Sequence, residues 1–289
     1  DQAPSSTEAA QTGAGQAPVR HNRRLIKLIT LSPPASGATT KGMALATVIL
    51  AAGLGTRMKS GTAKVLHRIC GRALVEYPVD LSLQLGAERT ILVLGHQAQA
   101  VEQQVAARFG AGAVQVALQT EQRGTGHAVQ QALPLLQGFS GQVLILYGDT
   151  PLLTHRAVSA LVQAGAGRHL ALIATRPASP TGYGRLCRDG AGRLQRVVEE
   201  RDCTPEQRLL TEVNAGFYVV EVGFLREALH ALTPNNAQGE LYLTDVVQSG
   251  AARGEVAVVD VPFDEVQGIN DRVDLARAEA ITVDEGCAA

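Results

Sequence analysis

From Met43 onward, short apolar runs alternate with helix-length segments. Residues 47–52 (TVILAA), 90–95 (TILVLG), 114–119, 143–147 (VLILY) and 170–175 are rich in Val, Ile and Leu. Such runs read as strands buried on both faces of a mainly parallel sheet. Between them lie helical candidates at about 73–85, 97–108, 127–136 and 155–164. The alternation is a chain of βαβ units, which predicts an α/β fold with a Rossmann-like, doubly wound, mainly parallel sheet. In such sheets ligands collect beyond the carboxyl ends of the strands. The junctions after Ala52, Gln119 and Tyr147 are therefore the places to look for function.

The pattern changes after residue 176. Residues 177–214 are polar and Gly-rich and predict a smaller, partly antiparallel lobe, with a strand near 193–199. Strand and helix signals resume at 215–220, 223–232, 242–252 and 256–262, and 271–285 has helical spacing in Val273, Ala276, Ala280 and Val283. Residues 1–42 have no sustained period and carry five Lys/Arg against two Asp/Glu. They read as a disordered extension or as sequence upstream of a start at Met43, with an organelle transit peptide as the alternative. The expected organisation is an extension over 1–42, a catalytic domain over 43–270 and the start of a linker helix over 271–289.

Composition narrows the function classes. With 45% hydrophobic residues, disorder throughout is excluded. The balance of 26 Lys+Arg against 27 Asp+Glu argues against a nucleic-acid footprint, and an aromatic content of 3% without Trp leaves few stacking platforms. Four cysteines without a C-x-x-C pair suit neither a disulfide framework nor a zinc site, so a cytoplasmic location is expected. No apolar run approaches the ~18–20 residues of a membrane span, so no membrane partner is expected.

The first strand runs into Leu50-Ala51-Ala52-Gly53-Leu54-Gly55-Thr56-Arg57-Met58, with Lys64 following. Gly53 and Gly55 let the backbone approach a ligand and turn its N–H groups toward phosphate oxygens. Arg57 can fork two oxygens and Lys64 adds a point charge. The loop lacks the G-x-x-x-x-G-K-[ST] of a P-loop, and Met58 replaces the third glycine of the dinucleotide fingerprint. Asp149, at the end of a buried apolar strand, is on its own equally a Mg²⁺ ligand, a turn residue or an N-cap.

This loop resembles the signature of the nucleotide-sugar pyrophosphorylases, with Ala63 where that superfamily often has proline. Further matches are Lys64-Val65-Leu66-His67, the stretch from Gln119 through Gln122, Gly124, Thr125 and His127, Tyr147-Gly148-Asp149, and Thr181 through Gly184 to Arg185. Val198-Glu199, Asn214-Ala215-Gly216, the stretch from Asn235 through Glu240, Tyr242 and Thr244 to Asp245, and Gly268-Ile269-Asn270 complete the set. In unbroken order over about 46–279, they resemble the N-terminal uridyltransferase domain of the bacterial bifunctional enzymes that make UDP-N-acetylglucosamine.

The resemblance implies a Mg²⁺-dependent transfer of UMP from UTP to N-acetylglucosamine 1-phosphate, releasing pyrophosphate, in the supply of peptidoglycan and lipopolysaccharide precursors. It makes Arg57 and Lys64 the catalytic cations and Asp149 and Asn270 the metal ligands. It assigns uridine recognition to Gln119 with backbone groups of Ala52, Gly53 and Gly124, within a substrate site that also includes Leu50, Ala51, Thr125 and Tyr147. For the sugar it assigns Gly184, Glu199 and Asn214, with Tyr242 and Thr244 nearby. It implies that the family's hexapeptide-repeat acetyltransferase half, which makes the trimer, is absent, leaving a monomer or weak oligomer.

Read without it, Asn270 is the N-cap of the last helix, Gln119 a polar residue after a strand, Glu199 part of a solvated charge run, Asn214 the cap of a strand turn and Tyr242 a core aromatic. His67 and His127 read as structural. The competing functions are a pyrophosphorylase for another hexose 1-phosphate and a non-catalytic sugar-nucleotide sensor.

Overall fold

Alternation within the buried strands explains how the sheet is covered. In β1 (Leu45–Ala51) all seven residues are buried, and they sort by parity. Ala46, Val48 and Leu50 enter one core cluster, while Leu45, Ile49 and Ala51 enter a second on the opposite face. The structure, a computed structural model, describes residues 44–254 and 256–284. The expected extension over 1–42, and Cys287, lie outside the described residues.

The chain continues through a two-residue hairpin, β2 (Arg68–Ile69) and β3 (Arg72–Ala73), then α1 (Glu76–Gln84), β4 (Arg89–Leu94), α2 (Ala98–Phe109), β5 (Gln115–Leu118) and α3 (Thr125–Ala132). Next come β6 (Gln142–Tyr147), α4 (His155–Gly165) and β7 (Leu170–Thr175). A hairpin of β8 (Arg185–Arg188) and β9 (Leu194–Val198) leads to the one-turn helix α5 (Pro205–Arg208), β10 (Val213–Glu221) and α6 (Val222–His230). The remainder is α7 (Asp245–Arg253), β11 (Ala257–Asp260), the short α8 (Phe263–Val266) and α9 (Arg272–Asp284).

The main sheet runs β11-β7-β10-β6-β1-β4-β5. β6, β1, β4 and β5 pair in parallel, as do β7 and β11, while β10 is antiparallel to both its neighbours. Helices α3, α6 and α7 supply Val129, Leu225 and Val246 to one face, and α1, α2 and α4 supply Val79, Val101 and Val158 to the other. The expected doubly wound, mainly parallel architecture is therefore present. The expected antiparallel lobe is the β8–β9 hairpin, which joins β10 through Arg185 and Val213.

Three local readings change. The segment begun at residue 73 starts as strand, because β2–β3 turns through Cys70 and Gly71, both at positive φ, and the helix starts only at Glu76. The helix expected to reach residue 136 closes at Ala132 into a 3₁₀ turn over Leu133–Leu136, since Pro134 has no N–H to continue the α ladder. The last helix is capped by Asp271, whose Oδ1 accepts from the N–H groups of Val273 (2.8 Å) and Asp274 (2.9 Å). Asn270 is therefore not its cap, and its side chain is released for another role.

Sheet order creates the site. From β1 the chain winds outward to β4 and β5, then returns to place β6 on the other side of β1. The crevice beyond the carboxyl ends at such a reversal is where ligands bind in open α/β sheets.

Candidate active site

A cleft of about 330 Å³ opens at this reversal, within the range of small-molecule sites. It is lined by Leu50, Ala51, Ala52 and Gly53 from the end of β1, Gln119 after β5, Gly124 and Thr125 at the start of α3, and Tyr147 and Asp149 after β6. Lys64 closes one side. Ten residues assigned from the sequence thus share one cavity. Gln122, Val65, Ala128 and Glu240 also line it and were not singled out, although Val65, Gln122 and Glu240 lie inside the matching motifs.

Gly55 sits at φ 60°, in the left-handed region, and a Cβ there would come within 2.5 Å of the Lys64 Cβ. Only glycine allows the loop to close onto Lys64. The Lys64 ammonium donates to Asp149 in an ion pair whose side chains are 14% and 16% exposed. Arg57 Nη2 donates to the Asn270 side-chain oxygen at 2.8 Å. Each expected metal ligand is therefore paired with an expected catalytic cation.

The two expected oxygen ligands are brought together by backbone. Ile269 N–H donates to the Asp149 carbonyl at 2.8 Å, which draws the 268–270 segment alongside β6. Gly268 adjoins the carboxylate: its Cβ position lies 3.8 Å, an ordinary van der Waals distance, from both Asp149 carboxylate oxygens. A carboxylate and an amide oxygen are hard donors that suit Mg²⁺, which habitually takes one or two protein carboxylates and completes its shell with phosphate and water. Among the described residues there is no group of three or more His, Cys, Asp or Glu able to form an all-protein cage. The donor set fits Mg²⁺ shared with a substrate phosphate.

Gln119 is buried after β5; its Nε2 donates to the Gly124 carbonyl (3.2 Å) and lies 3.1 Å from His127 Nδ1. His127 sits between Gln119 and Gln131 and has no lining role. The start of α3 is stapled to the 240–243 segment by Gly126 N–H to the Leu241 carbonyl, Leu241 N–H to the Arg123 carbonyl (each 2.8 Å) and Leu243 N–H to Thr125 Oγ1 (3.1 Å). The Thr125 hydroxyl thus accepts from backbone and keeps its own proton to donate.

The residues expected to hold a sugar form a second cluster beside the cleft. Thr244 Oγ1 donates to Glu199 Oε1 at 2.9 Å, and Glu199 Oε2 lies beside the missing side chain of Gly184. The Gly184 carbonyl accepts from Asn214 N–H at 2.9 Å. Asn214 Nδ2 donates to the Tyr218 hydroxyl at 2.6 Å and its Oδ1 accepts from Gly216 N–H at 3.1 Å, leaving one amide proton uncommitted. Gly216, at φ 90° in an irregularity of β10, makes room for the Tyr147 ring, where a Cβ would lie 2.7 Å from its Cε2. Tyr147 links the two clusters, and its phenol is pushed up by burial and by the Glu199 and Asp149 carboxylates. Tyr242 is 7% exposed and its phenol is pushed up to about 12 by burial and the nearby Asp202 and Glu199 carboxylates, so it remains neutral.

The profile of the MobA-like NTP transferase domain matches residues 47–213. The chain belongs to that family. The match runs from β1 to the start of β10 and so takes in the glycine loop, Lys64, Gln119, Asp149 and Glu199. The chain is also similar to curated relatives named Bifunctional protein GlmU. That of Anaeromyxobacter sp. (strain Fw109-5) is 50% identical over 234 residues, covering 81% of this chain and 48% of the relative. Those of Pelobacter propionicus and Sorangium cellulosum (strain So ce56) are 47% and 46% identical, over 82% and 84% of this chain and 52% of each relative. The chain spans about half the length of these relatives. No helix among the described residues is long and apolar enough to cross a membrane.

Burial pushes the Glu199 carboxyl above the usual carboxylate range; the Thr244 hydroxyl opposes this, and the Asp245, Asp202 and Glu240 carboxylates add to it. With the folded value above the unfolded one, the stability tied to the protonated form is present at low pH and lost as pH rises through the folded value. Glu199→Gln keeps the acceptor for Thr244 and removes the charge. It is expected to raise Tm by about 2–4 °C at pH 8, with the gain shrinking toward zero below the ordinary glutamate value of 4.5. Thermal melts across that range check it, and a pH-independent gain would contradict the assignment.

Proposed function

We propose that the chain transfers UMP from UTP to N-acetylglucosamine 1-phosphate, forming UDP-N-acetylglucosamine and pyrophosphate. The observation that carries this reading is the crossed pairing of Lys64 with Asp149, which line the cleft, and of Arg57 with Asn270, which adjoins Asp149 through the Ile269 N–H bond to the Asp149 carbonyl. The identity of 46–50% to proteins named Bifunctional protein GlmU supports the choice of substrates within the family.

A phosphate oxygen of the sugar phosphate attacks the α-phosphorus of UTP. The bond from that phosphorus to the β-bridging oxygen breaks, and the electron pair leaves with pyrophosphate. The nucleophile is already anionic at neutral pH, so no side chain need take a proton. What the reaction requires is the alignment of two mutually repelling anions and compensation of their charge. Lys64 and Arg57 supply positive charge beside the glycine loop, whose N–H groups can face phosphate oxygens. Asp149 and Asn270 would hold Mg²⁺. When bound, the ion neutralises phosphate charge and orients the α-phosphate.

Gln119 Oε1 would accept from uracil N3–H, while its Nε2 donates to the Gly124 carbonyl. A cytosine presents a lone pair at that position and would face the same oxygen unfavourably. Glu199, Gly184, Asn214 and Thr244 would bind the sugar, with Tyr147 between the two subsites; the tightly packed Tyr242 supports the wall behind them. We place the reaction in the cytoplasm, with no nucleic-acid or membrane partner.

Pyrophosphate release measured over four nucleoside triphosphates and several sugar 1-phosphates, with and without Mg²⁺, tests the reading. Release is expected only with UTP, N-acetylglucosamine 1-phosphate and the metal together. Turnover of glucose 1-phosphate but not its N-acetyl analogue would move the assignment to another hexose phosphate, and no release in any combination would favour a sensor.

A further inference from the structure

The turn that delivers Lys64 is gripped from outside the cleft by the side chain of Gln97. Gln97 opens α2 at φ 62°, a left-handed conformation uncommon for any residue with a long side chain. Its side chain does not cap its own helix. Instead the amide crosses to the 61–63 turn, where Oε1 accepts from Ala63 N–H and Nε2 donates to the Gly61 carbonyl, each at 2.8 Å. Two bonds of opposite polarity to peptide groups two residues apart fix both the position and the rotation of that turn. Ala63 is the residue that caps the 3₁₀ turn over Lys64–Leu66, so Lys64 follows directly from the clasped peptide.

We propose that Gln97 is a positioning residue that acts through this clasp to hold Lys64 in place for triphosphate; the proposal rests on the reading of Lys64 given above. The strained backbone has a use in this arrangement, because the left-handed turn at the start of α2 is where Gln97 departs to reach the loop. Lys64 is then set from two sides, its backbone by Gln97 and its Cβ by the bare face of Gly55. Stabilisation of developing charge depends on such prior placement, since a donor displaced by about 1 Å loses most of its effect. The grip also depends on the residue at 63. Its N–H is one of the two contacts, and proline would abolish it. Yet Ala63 lies at φ −52° and ψ 137°, a conformation that proline adopts without strain. Ring stiffness and the Gln97 hydrogen bond are therefore two alternative ways of ordering the same turn, and this chain uses the second.

The full chain is assayed for pyrophosphate release from UTP and N-acetylglucosamine 1-phosphate, with UTP affinity measured by calorimetry and Tm by thermal melts. Gln97→Gly removes the amide and relieves the positive φ. Gln97→Met removes the amide and keeps the strain. Both are expected to lower kcat about tenfold and weaken UTP binding, with the KM for the sugar phosphate within twofold of wild type. Tm should be unchanged or higher for Gln97→Gly and lower for Gln97→Met, a split that a purely structural role would not produce alongside equal losses in kcat. In an Ala63→Pro background, Gln97→Gly should cost less than twofold. Wild-type kcat and UTP affinity in both single variants would overturn the clasp, as would an undiminished tenfold loss in the proline background. Lys64→Ala run in parallel separates the two levels: indifference to Lys64→Ala refutes the underlying role of Lys64, whereas a large Lys64 effect with indifferent Gln97 variants refutes the clasp alone.

Discussion

Lys64→Ala is expected to lower kcat by roughly 10²- to 10³-fold while strengthening divalent-metal binding in the absence of nucleotide. The first effect follows from removing a preorganised cation from a site where negative charge develops. The second follows from the pairing of Lys64 with Asp149, both largely shielded from water. A metal ion approaching Asp149 must displace that ammonium. Without it, the carboxylate is free, and metal binding should tighten about three- to tenfold, the range expected for loss of a competing ion pair of about 1 kcal/mol. Mn²⁺ titration by electron paramagnetic resonance reads this directly, independent of turnover. Asp149→Asn should lose 10²-fold or more in kcat with metal binding weakened instead. A correctly folded Asp149→Asn enzyme with full turnover would remove Asp149 from the metal site, and unchanged Mn²⁺ affinity in Lys64→Ala would show that the ion pair does not compete.

The same crossed pairing shows where sequence reading stops. The buried strands and intervening helices were legible because apolar runs without alternation leave few alternatives, and β1, β4, β6 and β7 lie where those runs predict them. The insertion of β10 antiparallel between β6 and β7 was not, because the strand signal over 215–220 carries no sign of its direction or neighbours. Asn270 illustrates the same limit at the site. A polar residue before a helix reads as its cap, and only the structure separates Asp271, which accepts the helix N–H groups, from Asn270, which faces Arg57. Gln97 carried no local signal at all, since its partners at 61 and 63 are 34–36 positions distant. Motif order brought Gly184, Glu199, Asn214 and Thr244 together, but the buried guanidinium that organises their surroundings lay inside a matched motif without an assigned part.

That guanidinium belongs to Arg185, and Arg185→Met is expected to destabilise the chain by about 3 kcal/mol. Its side chain is 2% exposed, and the planar fork serves three acceptors in different directions: Nε donates to the Leu210 carbonyl at 3.1 Å, Nη2 to Glu200 Oε2 at 2.7 Å, and Nη1 to the Tyr183 carbonyl. Methionine fills much of the volume but removes all three donations, leaving Glu200 Oε2 only the Gly182 N–H at 3.3 Å. Lysine restores the charge without the fork and should recover only part of the loss. At roughly 2–4 °C per kcal/mol for a chain of this size, Tm should fall by about 6–12 °C. The Arg185 hydrogen bond holds the Glu200 carboxyl below its ordinary value, so the contribution of the pair is present above pH 4.5 and lost as pH falls through the lower folded value. The gap between wild type and Arg185→Met should therefore be widest near neutral pH and narrow in acid. Because Arg185 anchors the residues on either side of Gly184, the KM for the sugar phosphate should rise more than that for UTP, whose cleft lies beyond the opposite side of Tyr147. Equal increases in both constants would mean that the hairpin supports the whole domain rather than the sugar subsite.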